Sequence, residues 1–359
     1  MELKQNPFKK LLKWMQTHRL QTIIIIGVLL ILVAGGIAYA IMSQPHPKPT
    51  KMTVTKPKPK PAVKYYSPLT GVEVPTEVAT TQPVTAIMIE NSPDARPQSG
   101  LKDAGIVYEA IAEGGITRFL TLHQEDKPQL IGPVRSLRMY YVDWLAPINA
   151  SVAHGGGSAA ALAEVRNGSY RDIDQFFNAG AYWRATDRYA PHNVYTSFER
   201  LDALNAAKGY TTSSFTGFPR TDGKASTSPN ASSVTINISS ALYNSSYSYD
   251  AASNRYNRNL AGVPHVDREG GQISPSVVIA LKVNEVTVME DGYRQSITTT
   301  GSGEAVIFQN GMATAATWTK TARNAQMTFT DSAGKPIALN RGQTWISAVP
   351  NGHGSISWQ

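Results

Sequence analysis

The chain has 359 residues, 42% of them hydrophobic, so it is long enough and apolar enough for two ordinary domains. Its net charge of +8 is unevenly placed: residues 1–64 hold 11 of the 34 Lys and Arg and one acidic residue, a net of +10, while the other 295 residues carry −2. This balance argues against a nucleic-acid partner for the globular part, and the absence of cysteine excludes disulfides, thiol nucleophiles and cysteine-based metal sites.

A charge-free stretch at residues 20–43 follows a basic tail at residues 1–19. About 20 apolar residues cross a bilayer as a helix, so this stretch is long enough for a transmembrane anchor. Ala38–Ala40 also fits a signal-peptidase site, with cleavage after Ala40, but a cleaved apolar region usually spans only about 7–15 residues. We therefore predict an uncleaved single span.

Basic residues flank the predicted span about equally on both sides, so positive charge alone does not orient it. We predict the ordinary signal-anchor arrangement, with the N-terminus in the cytoplasm and the globular part outside, in the cell envelope. Residues 44–64 are rich in proline and lysine and predict an extended spacer, rising about 3.1 Å per residue. This spacer is either a solvated stalk or a segment whose lysines contact anionic lipid or wall polymer.

Residues 65–225 predict a mixed α/β domain. Apolar runs predict strands at residues 84–90 and 117–123, and Lys102–Ala112 reads as the start of a helix followed by a strand. Apolar spacing and capping residues predict helices at Ala159–Arg166 and Phe198–Lys208, and the apolar run Met139–Leu145 reads as the beginning of a further helix.

Residues 226–359 predict a smaller, mostly β domain, after a linker or long exposed loop at residues 211–229. Asn310-Gly311 is a strong hairpin turn signal. Strands are predicted at residues 233–238, 247–250, 255–258, 277–283, 285–290, 295–300, 304–309, 312–320, 327–330 and 344–349. The predicted fold class is α/β or α+β: a mixed α/β domain, then a mostly β domain, preceded by one transmembrane helix and the spacer.

Charged residues lie where the predicted strands of the first domain end. The arginines are Arg96, Arg118, Arg135 and Arg138, and the interleaved carboxylates are Glu90, Glu109 and Glu113. Guanidinium forks bind carboxylate or phosphate in bidentate fashion, so this set predicts an anion-binding cleft. The alternative is internal ion pairing that only holds loops in place. Site arginines would face one open cleft, whereas structural ones would be buried against Glu90, Glu109 or Asp143.

A second candidate is the glycine turn between a predicted strand at residues 151–154 and the following helix. It consists of His154, Gly155, Gly156, Gly157 and Ser158. A strand, a glycine turn and a helix in this order can aim backbone N–H groups at an anion, and Ser158 suits the N-cap. A tight structural turn is the other interpretation. The spacing is neither a Walker motif nor a nucleophile elbow.

Three further polar residues are candidates. His192 and Asn193 lie in a run dense in polar and aromatic residues, which fits either site lining or structural packing. His265 belongs to a polar cluster in the second domain that either reaches the first domain or is held by its own hydrogen bonds. No histidine spacing typical of a metal site occurs, so we predict neither a metal nor a cofactor.

Several long motifs resemble the YerB-like family of bacterial extracytoplasmic proteins. The first domain carries NSPDARPQSGL (91–101), GIVYEAIAEGGITRF (105–119), GPVRSLR (132–138), HGGGS (154–158) and APHNVYTS (190–197). The second carries NRYNRNLAGVPHVD (254–267) and GQTWISAVP (342–350). The resemblance implies a membrane-tethered, extracytoplasmic two-domain α/β protein of unassigned activity. Many relatives are lipoproteins attached through a cysteine, which this chain lacks, so lipidation is not implied.

Two functions fit these observations. The first is a non-enzymatic binding module of the cell envelope, whose ligand is wall glycan, an anionic polymer or an envelope protein. The second is an envelope enzyme acting on a phosphate- or glycan-containing substrate, with the arginines neutralising a phosphoryl group and Glu109, Glu113 or His154 as base. The order of elements loosely resembles the LytR-CpsA-Psr glycopolymer transferases. The sequence leaves open whether any catalysis occurs.

Overall fold

The structure, a computed structural model, describes residues 6–45, 63–288 and 294–359. The chain forms two compact units, Met1–Pro61 and Ala62–Gln359, which are described separately. Nearly all of the predicted spacer at residues 44–64 lies outside the described residues.

The first unit contains helices α1 (Pro7–Thr17) and α2 (Arg19–Met42). The side chain of Asn6 caps α1 by accepting a hydrogen bond from the N–H of Phe8 at 3.1 Å. The 24-residue helix α2 is long and apolar enough to cross a membrane, and a signal sequence near an N-terminus passes the same test. It coincides with the predicted anchor.

The second unit contains three more α-helices: α3 (Met139–Leu145), α4 (Ala159–Val165) and α5 (Phe198–Ala207). Short 3₁₀ helices occupy Val78–Thr81, Pro93–Ala95, Ala146–Ile148 and Ala179–Ala181. The side chains of Ser158 and Ser197 cap α4 and α5 by accepting hydrogen bonds from the N–H groups of Ala161 and Arg200. Helices α4 and α5 match the predicted helices to within one residue at their ends, and α3 lies where the sequence predicts that a helix begins.

The strands of the first half are β1 (Tyr65–Tyr66), β2 (Glu73–Val74), β3 (Thr85–Glu90), β4 (Ile106–Ile111), β5 (Thr117–His123), β6 (Ser151–Ala153), β7 (Arg171–Asp172), β8 (Tyr182–Arg184) and β9 (Val194–Thr196). Those of the second half are β10 (Arg220–Thr221), β11 (Ser233–Asn237), β12 (Ser245–Asp250), β13 (Arg255–Leu260), β14 (Val263–Pro264), β15 (Val277–Val283), β16 (Glu285–Val288), β17 (Arg294–Ile297), β18 (Gly301–Gln309), β19 (Met312–Lys320), β20 (Thr328–Thr330), β21 (Leu339–Asn340), β22 (Thr344–Pro350) and β23 (Ser355–Trp358).

One ten-stranded sheet runs through both halves of the second unit, in the order β20-β19-β18-β15-β22-β4-β5-β3-β6-β7. The halves join where β22 pairs in parallel with β4, which places Ser347 opposite Glu109. A five-stranded antiparallel sheet has the order β14-β13-β12-β11-β23. The larger sheet contains strands from both sides of the predicted domain boundary at residues 225/226. The boundary itself remains a prediction.

Both faces of the large sheet are covered. Alternate residues of its strands point to opposite faces: Ala86 and Met88 of β3 pack in one apolar cluster, and Ile87 and Ile89 pack in another. The first cluster includes the aromatic residues of α3, and the second includes Trp345 together with residues of the five-stranded sheet and α5. Strands buried on both faces explain the nearly continuous apolar runs in their sequences.

The helix start predicted at Lys102 is wrong. Residues 101–103 form a turn, and regular structure begins with β4 at Ile106. The carboxylate of Asp267 accepts hydrogen bonds from the N–H groups of Gly100, Leu101 and Lys102, at 3.1, 3.2 and 3.0 Å. A residue far along the chain therefore satisfies the backbone donors that this segment exposes.

Candidate functional site

Two of the predicted arginines share the carboxylate of Glu113. Glu113 follows β4, Arg118 lies near the start of β5, and Arg138 immediately precedes α3. Nη2 of Arg118 lies 2.7 Å from Oε2 of Glu113, and Arg138 binds Oε1 of the same carboxylate. Nη1 of Arg294, on β17, lies 3.6 Å from that Oε1. One carboxylate thus faces three guanidinium groups.

A third predicted arginine, Arg135, pairs with Glu90 at the end of β3. Nε of Arg135 lies 3.2 Å from Oε2 of Glu90, whose other oxygen accepts a hydrogen bond from Ser92 and lies 3.0 Å from Nδ1 of His192. Glu90 also pairs with Arg118 across the β3–β5 register, so the two ion-paired groups are neighbours. We call Arg118, Arg135 and Arg138, with Glu90 and Glu113, the arginine cluster.

The arginine cluster carries more positive than negative charge. Burial lowers the pKa of Arg138 to about 10, and the charge of Arg118 acts in the same direction. Burial also lowers the pKa of Arg135, despite the opposing effect of Glu90. Both guanidinium groups remain charged at neutral pH, and an additional anion would favour their charged forms.

The members of the arginine cluster differ in access. The side chains of Arg118 and Arg138 are 9% and 7% exposed, whereas that of Arg135 is 24% exposed. Within the part of the chain that the structure describes, the Nη atoms of Arg135 make no hydrogen bond. Arg138 also lines a pocket of about 270 Å³ together with Ser158. Arg135 is thus the member best placed to meet a ligand.

Arg96 has a separate role from the other three arginines. Its guanidinium donates to the backbone oxygen and side-chain oxygen of Asn91 and to the backbone oxygen of Leu242, and it stacks on Tyr243 at 5.3 Å. Arg96 therefore links the loop after β3 to the segment between β11 and β12.

Glu109 is buried in an ion pair that joins the two halves. Its Oε2 lies 2.8 Å from Nη2 of Arg258 and accepts a hydrogen bond from Nε1 of Trp345 at 3.0 Å. Arg258 is fully buried and stacks on the ring of Trp345 at 4.4 Å. Both oxygens of Glu109 are bound within the protein, since Oε1 accepts from Thr117. This geometry suits a structural role better than the role of a catalytic base.

His265 continues the same buried network. Its Nδ1 contacts Arg258, and its Nε2 lies 3.0 Å from Oε1 of Gln98, whose amide in turn donates to the backbone oxygen of Glu90. Burial, with the charges of Arg258 and Arg96, holds the pKa of His265 well below its usual range. His265 therefore reaches the first half of the unit as a neutral buried group.

Arg258 is a buried site residue that was not among the predicted candidates, although the sequence contains a signal for it. On β13 the alternate residues Tyr256, Arg258 and Leu260 are buried while their neighbours are more exposed. An arginine placed on the apolar face of an alternating strand needs a buried carboxylate as partner. The sequence does not show which carboxylate that is, because Glu109 lies 149 residues away.

The glycine turn is held by internal hydrogen bonds. His154 is fully buried, with Nδ1 2.8 Å from the oxygen of Gly156 and Nε2 3.0 Å from Oδ1 of Asp172. Gly155 donates its N–H to the backbone oxygen of Arg135, and its own oxygen accepts from Ser136. The turn thus packs directly against the segment that carries Arg135.

His154, Asp172 and Asp174 place potential metal ligands within 4.8 Å of one another. The guanidinium of Arg166 lies among them, 3.6 Å from Oδ2 of Asp172 and 2.8 Å from Oδ2 of Asp174. Asp174 also accepts the N–H groups of Phe176 and Phe177. Because Arg166 already supplies the positive charge, this group fits a structural network better than a cation site.

His192 and Asn193 border the arginine cluster on a loop before β9. Asn193 fixes this loop by donating to the backbone oxygens of Ala185 and Arg188 and by accepting from Arg184. Ser92 lies 3.2 Å from the same Nδ1 of His192 that faces Glu90. A hydrolytic relay needs a hydrogen-bonded carboxylate on the ring nitrogen opposite the serine, but Glu90 shares Nδ1 with Ser92. The exposed carboxylate of Asp94 lies 3.9 Å from Nε2 of His192, beyond hydrogen-bond distance, so this arrangement is not an assembled catalytic triad.

Known proteins match most of the chain. The family model described as protein of unknown function (DUF3048) N-terminal domain matches residues 69–211, and the corresponding C-terminal domain matches residues 234–346. The Bacillus subtilis (strain 168) protein "Putative lipoprotein YerB" is 32% identical over 295 residues, covering 81% of this chain and 88% of the relative. The crystal structure of YerB protein from Bacillus subtilis superimposes with a TM-score of 0.73 at 30% identity, covering 82% of this chain and all of the other.

Proposed function

Because the chain belongs to the DUF3048 family of YerB-like two-domain proteins, we propose that it is a membrane-tethered extracytoplasmic protein that binds an anionic ligand of the cell envelope at the arginine cluster. The Bacillus subtilis relative is by its name a lipoprotein. This chain has no cysteine to carry a lipid, and the helix α2 takes that anchoring role.

The uncompensated charge of the arginine cluster is the observation that carries this proposal. Three arginines share two carboxylates: Arg118 and Arg138 both pair with Glu113, and Arg135 pairs with Glu90. A cluster with a purely structural role stabilises the fold most when each buried charge has a partner, because an uncompensated buried charge lowers the stability by several kcal/mol. The Nη atoms of Arg135 make no hydrogen bond within the described residues, so they are available to an external carboxylate or phosphate.

The chemistry of guanidinium indicates the ligand class. Its planar fork binds the two oxygens of a carboxylate or phosphate, and such charge-assisted hydrogen bonds are about twice as strong as neutral ones. The partly buried setting of Arg135 reduces screening by water and salt. A carboxylate- or phosphate-bearing wall polymer therefore fits better than an uncharged ligand.

We expect Arg135→Ala to raise the Kd for inorganic polyphosphate and for isolated cell-wall fractions about tenfold or more, because the substitution removes charge-assisted hydrogen bonds worth about 1.5–3 kcal/mol. The measurement is isothermal titration calorimetry on the intact chain in detergent micelles. Arg135→Lys keeps the charge without the fork and is expected to restore only part of the affinity.

Arg255→Ala is the matched control for Arg135→Ala. Arg255 is exposed on β13 and contacts the backbone oxygen of Ser274, so its removal changes the net charge equally without touching the arginine cluster. Equal weakening by Arg135→Ala and Arg255→Ala would show that binding is non-specific charge attraction, and unchanged binding in both would place the ligand elsewhere.

The proposed orientation, with the N-terminus inside, predicts the labelling of single cysteines in a chain that has none of its own. Ser240 is exposed in the second unit and Thr17 is exposed in α1. We expect Ser240→Cys to react with a membrane-impermeant maleimide on intact cells, and Thr17→Cys to react only after permeabilisation. The reverse pattern would contradict the orientation, and labelling of both on intact cells would contradict a single span.

A further inference from the structure

Two adjacent phenylalanines are displayed at the surface beside the arginine cluster. Phe176 and Phe177 are 66% and 76% exposed, although burying a phenylalanine side chain is worth about 2–3 kcal/mol. The buried carboxylate of Asp174 fixes the loop that carries them, because its Oδ1 accepts their N–H groups at 2.7 and 2.9 Å. The rings are therefore presented by an ordered loop.

The two rings differ in what they contact. The guanidinium of Arg166 covers Phe177, with 4.9 Å between Cζ and the ring centroid. Phe176 instead packs on the glycine turn: a Cβ added to Gly156 would lie 3.3 Å from Cε2 of Phe176 and 4.0 Å from Oγ of Ser136. Gly156 has a φ of +78°, which glycine adopts at no steric cost.

The ring of Phe176 thus lies beside the backbone that carries Arg135. Gly155 donates its N–H to the oxygen of Arg135 at 3.0 Å, and Ser136 donates its hydroxyl to the oxygen of Gly155 at 3.0 Å. Two backbone segments are therefore adjacent: the one from Arg135 to Ser136 and the glycine turn. Phe176 therefore lies against a turn that hydrogen-bonds directly to the backbone of Arg135, whose side chain is 24% exposed.

We propose that the ligand at this site is an acidic glycan, with one sugar ring stacked on Phe176 and the carboxylate or phosphate of the same or the next unit bound by Arg135. This inference rests on the proposed function and specifies its ligand. A sugar ring offers an apolar C–H face for the aromatic ring and hydroxyl groups at its edge for the polar surroundings. Two exposed rings, one of them covered by Arg166, offer too small an apolar area for a lipid surface.

The test compares three probes on the intact chain in detergent micelles: oligogalacturonate as acidic glycan, dextran as neutral glycan and inorganic polyphosphate as an anion without a sugar ring. We expect Phe176→Ala to weaken oligogalacturonate about tenfold and to leave polyphosphate unchanged, because only the glycan uses the ring. Arg135→Ala is expected to weaken both anions, and dextran is expected to bind at least tenfold more weakly than oligogalacturonate.

Phe177→Ala is the matched control, since it removes a neighbouring exposed ring whose face Arg166 covers. If Phe176→Ala and Phe177→Ala leave the ratio of the two anion affinities unchanged while Arg135→Ala weakens both, the anion site stands and the glycan inference fails. If Arg135→Ala changes neither affinity, the proposed function itself fails. If Phe176→Ala and Phe177→Ala weaken the affinity for oligogalacturonate equally, the effect comes from the loop as a whole, and the inference is also overturned.

Discussion

Glu109→Ala is expected to destabilise the second unit by about 3–5 kcal/mol, because it leaves the fully buried guanidinium of Arg258 without its counter-charge. The substitution also removes the acceptor for Nε1 of Trp345. The pair joins β4 of the first half to β13 of the second, so its loss affects both halves. The measurement is urea unfolding of the intact chain in detergent micelles, with tryptophan fluorescence as the readout.

Two further variants show whether the unpaired charge causes this loss. The double variant Glu109→Leu/Arg258→Met removes both charges and is expected to recover most of the stability, because well-packed apolar replacements of a buried pair are often neutral. Glu304→Ala, at an exposed position of β18, is expected to change stability by no more than about 0.5 kcal/mol. A double variant as unstable as Glu109→Ala would show that packing or the Trp345 hydrogen bond dominates.

Protonation of His123 is expected to destabilise the second unit as the pH falls from about 6.5 to 4. Burial lowers the pKa of His123 to about 4 from an ordinary value of 6.5. In this pH window the unfolded chain binds a proton at His123 that the folded chain does not, so acid favours unfolding. At pH 4.5 this group alone accounts for about 2–3 kcal/mol relative to pH 7.5. His265, whose pKa is also lowered, acts in the same direction. Asp267 and Glu285, whose pKa values burial raises to about 6 and about 7, act in the opposite direction, so the contribution of His123 is measured with a variant.

His123→Phe isolates this contribution, because the new ring retains an aromatic contact with Phe198, now 5.2 Å from the histidine ring, and cannot titrate. The free energy of unfolding from urea titrations at pH 7.5 and 4.5 is compared between the variant and the wild-type chain. We expect the difference between the two pH values to be about 2–3 kcal/mol smaller in the variant. An unchanged difference would mean that His123 binds a proton in the folded state as readily as in the unfolded one.

Local patterns in the sequence were sufficient for most of the regular elements. A long charge-free stretch predicts α2, and a serine before an apolar repeat predicts the start of α5 at Phe198. Asn310-Gly311 predicts the tight turn between β18 and β19, where both residues have the positive φ that such turns require. These features depend on residues within one turn or one strand of each other, and the family motifs are likewise contiguous.

The candidate site was predictable only in part. The sequence predicts one group of four arginines, Arg96, Arg118, Arg135 and Arg138, and the structure brings the last three together while giving Arg96 another role. Phe176 was not among the predicted site residues, because an exposed phenylalanine looks the same in sequence as a buried one. The strand register across the sheet decides which carboxylate each arginine contacts. The spacing of residues along the chain does not predict that register.

The sequence by itself determined an apolar helix long enough to span a membrane, a mixed α/β half followed by a mostly β half, and membership of the YerB-like family. Only the tertiary structure decided that one sheet joins both halves through β22 and β4, that Asp267 turns the segment at Lys102 away from a helix, and that Glu109 pairs with Arg258. The physical reason is that buried hydrogen-bonding and charged groups must find partners, and those partners lie about 150 residues or more away.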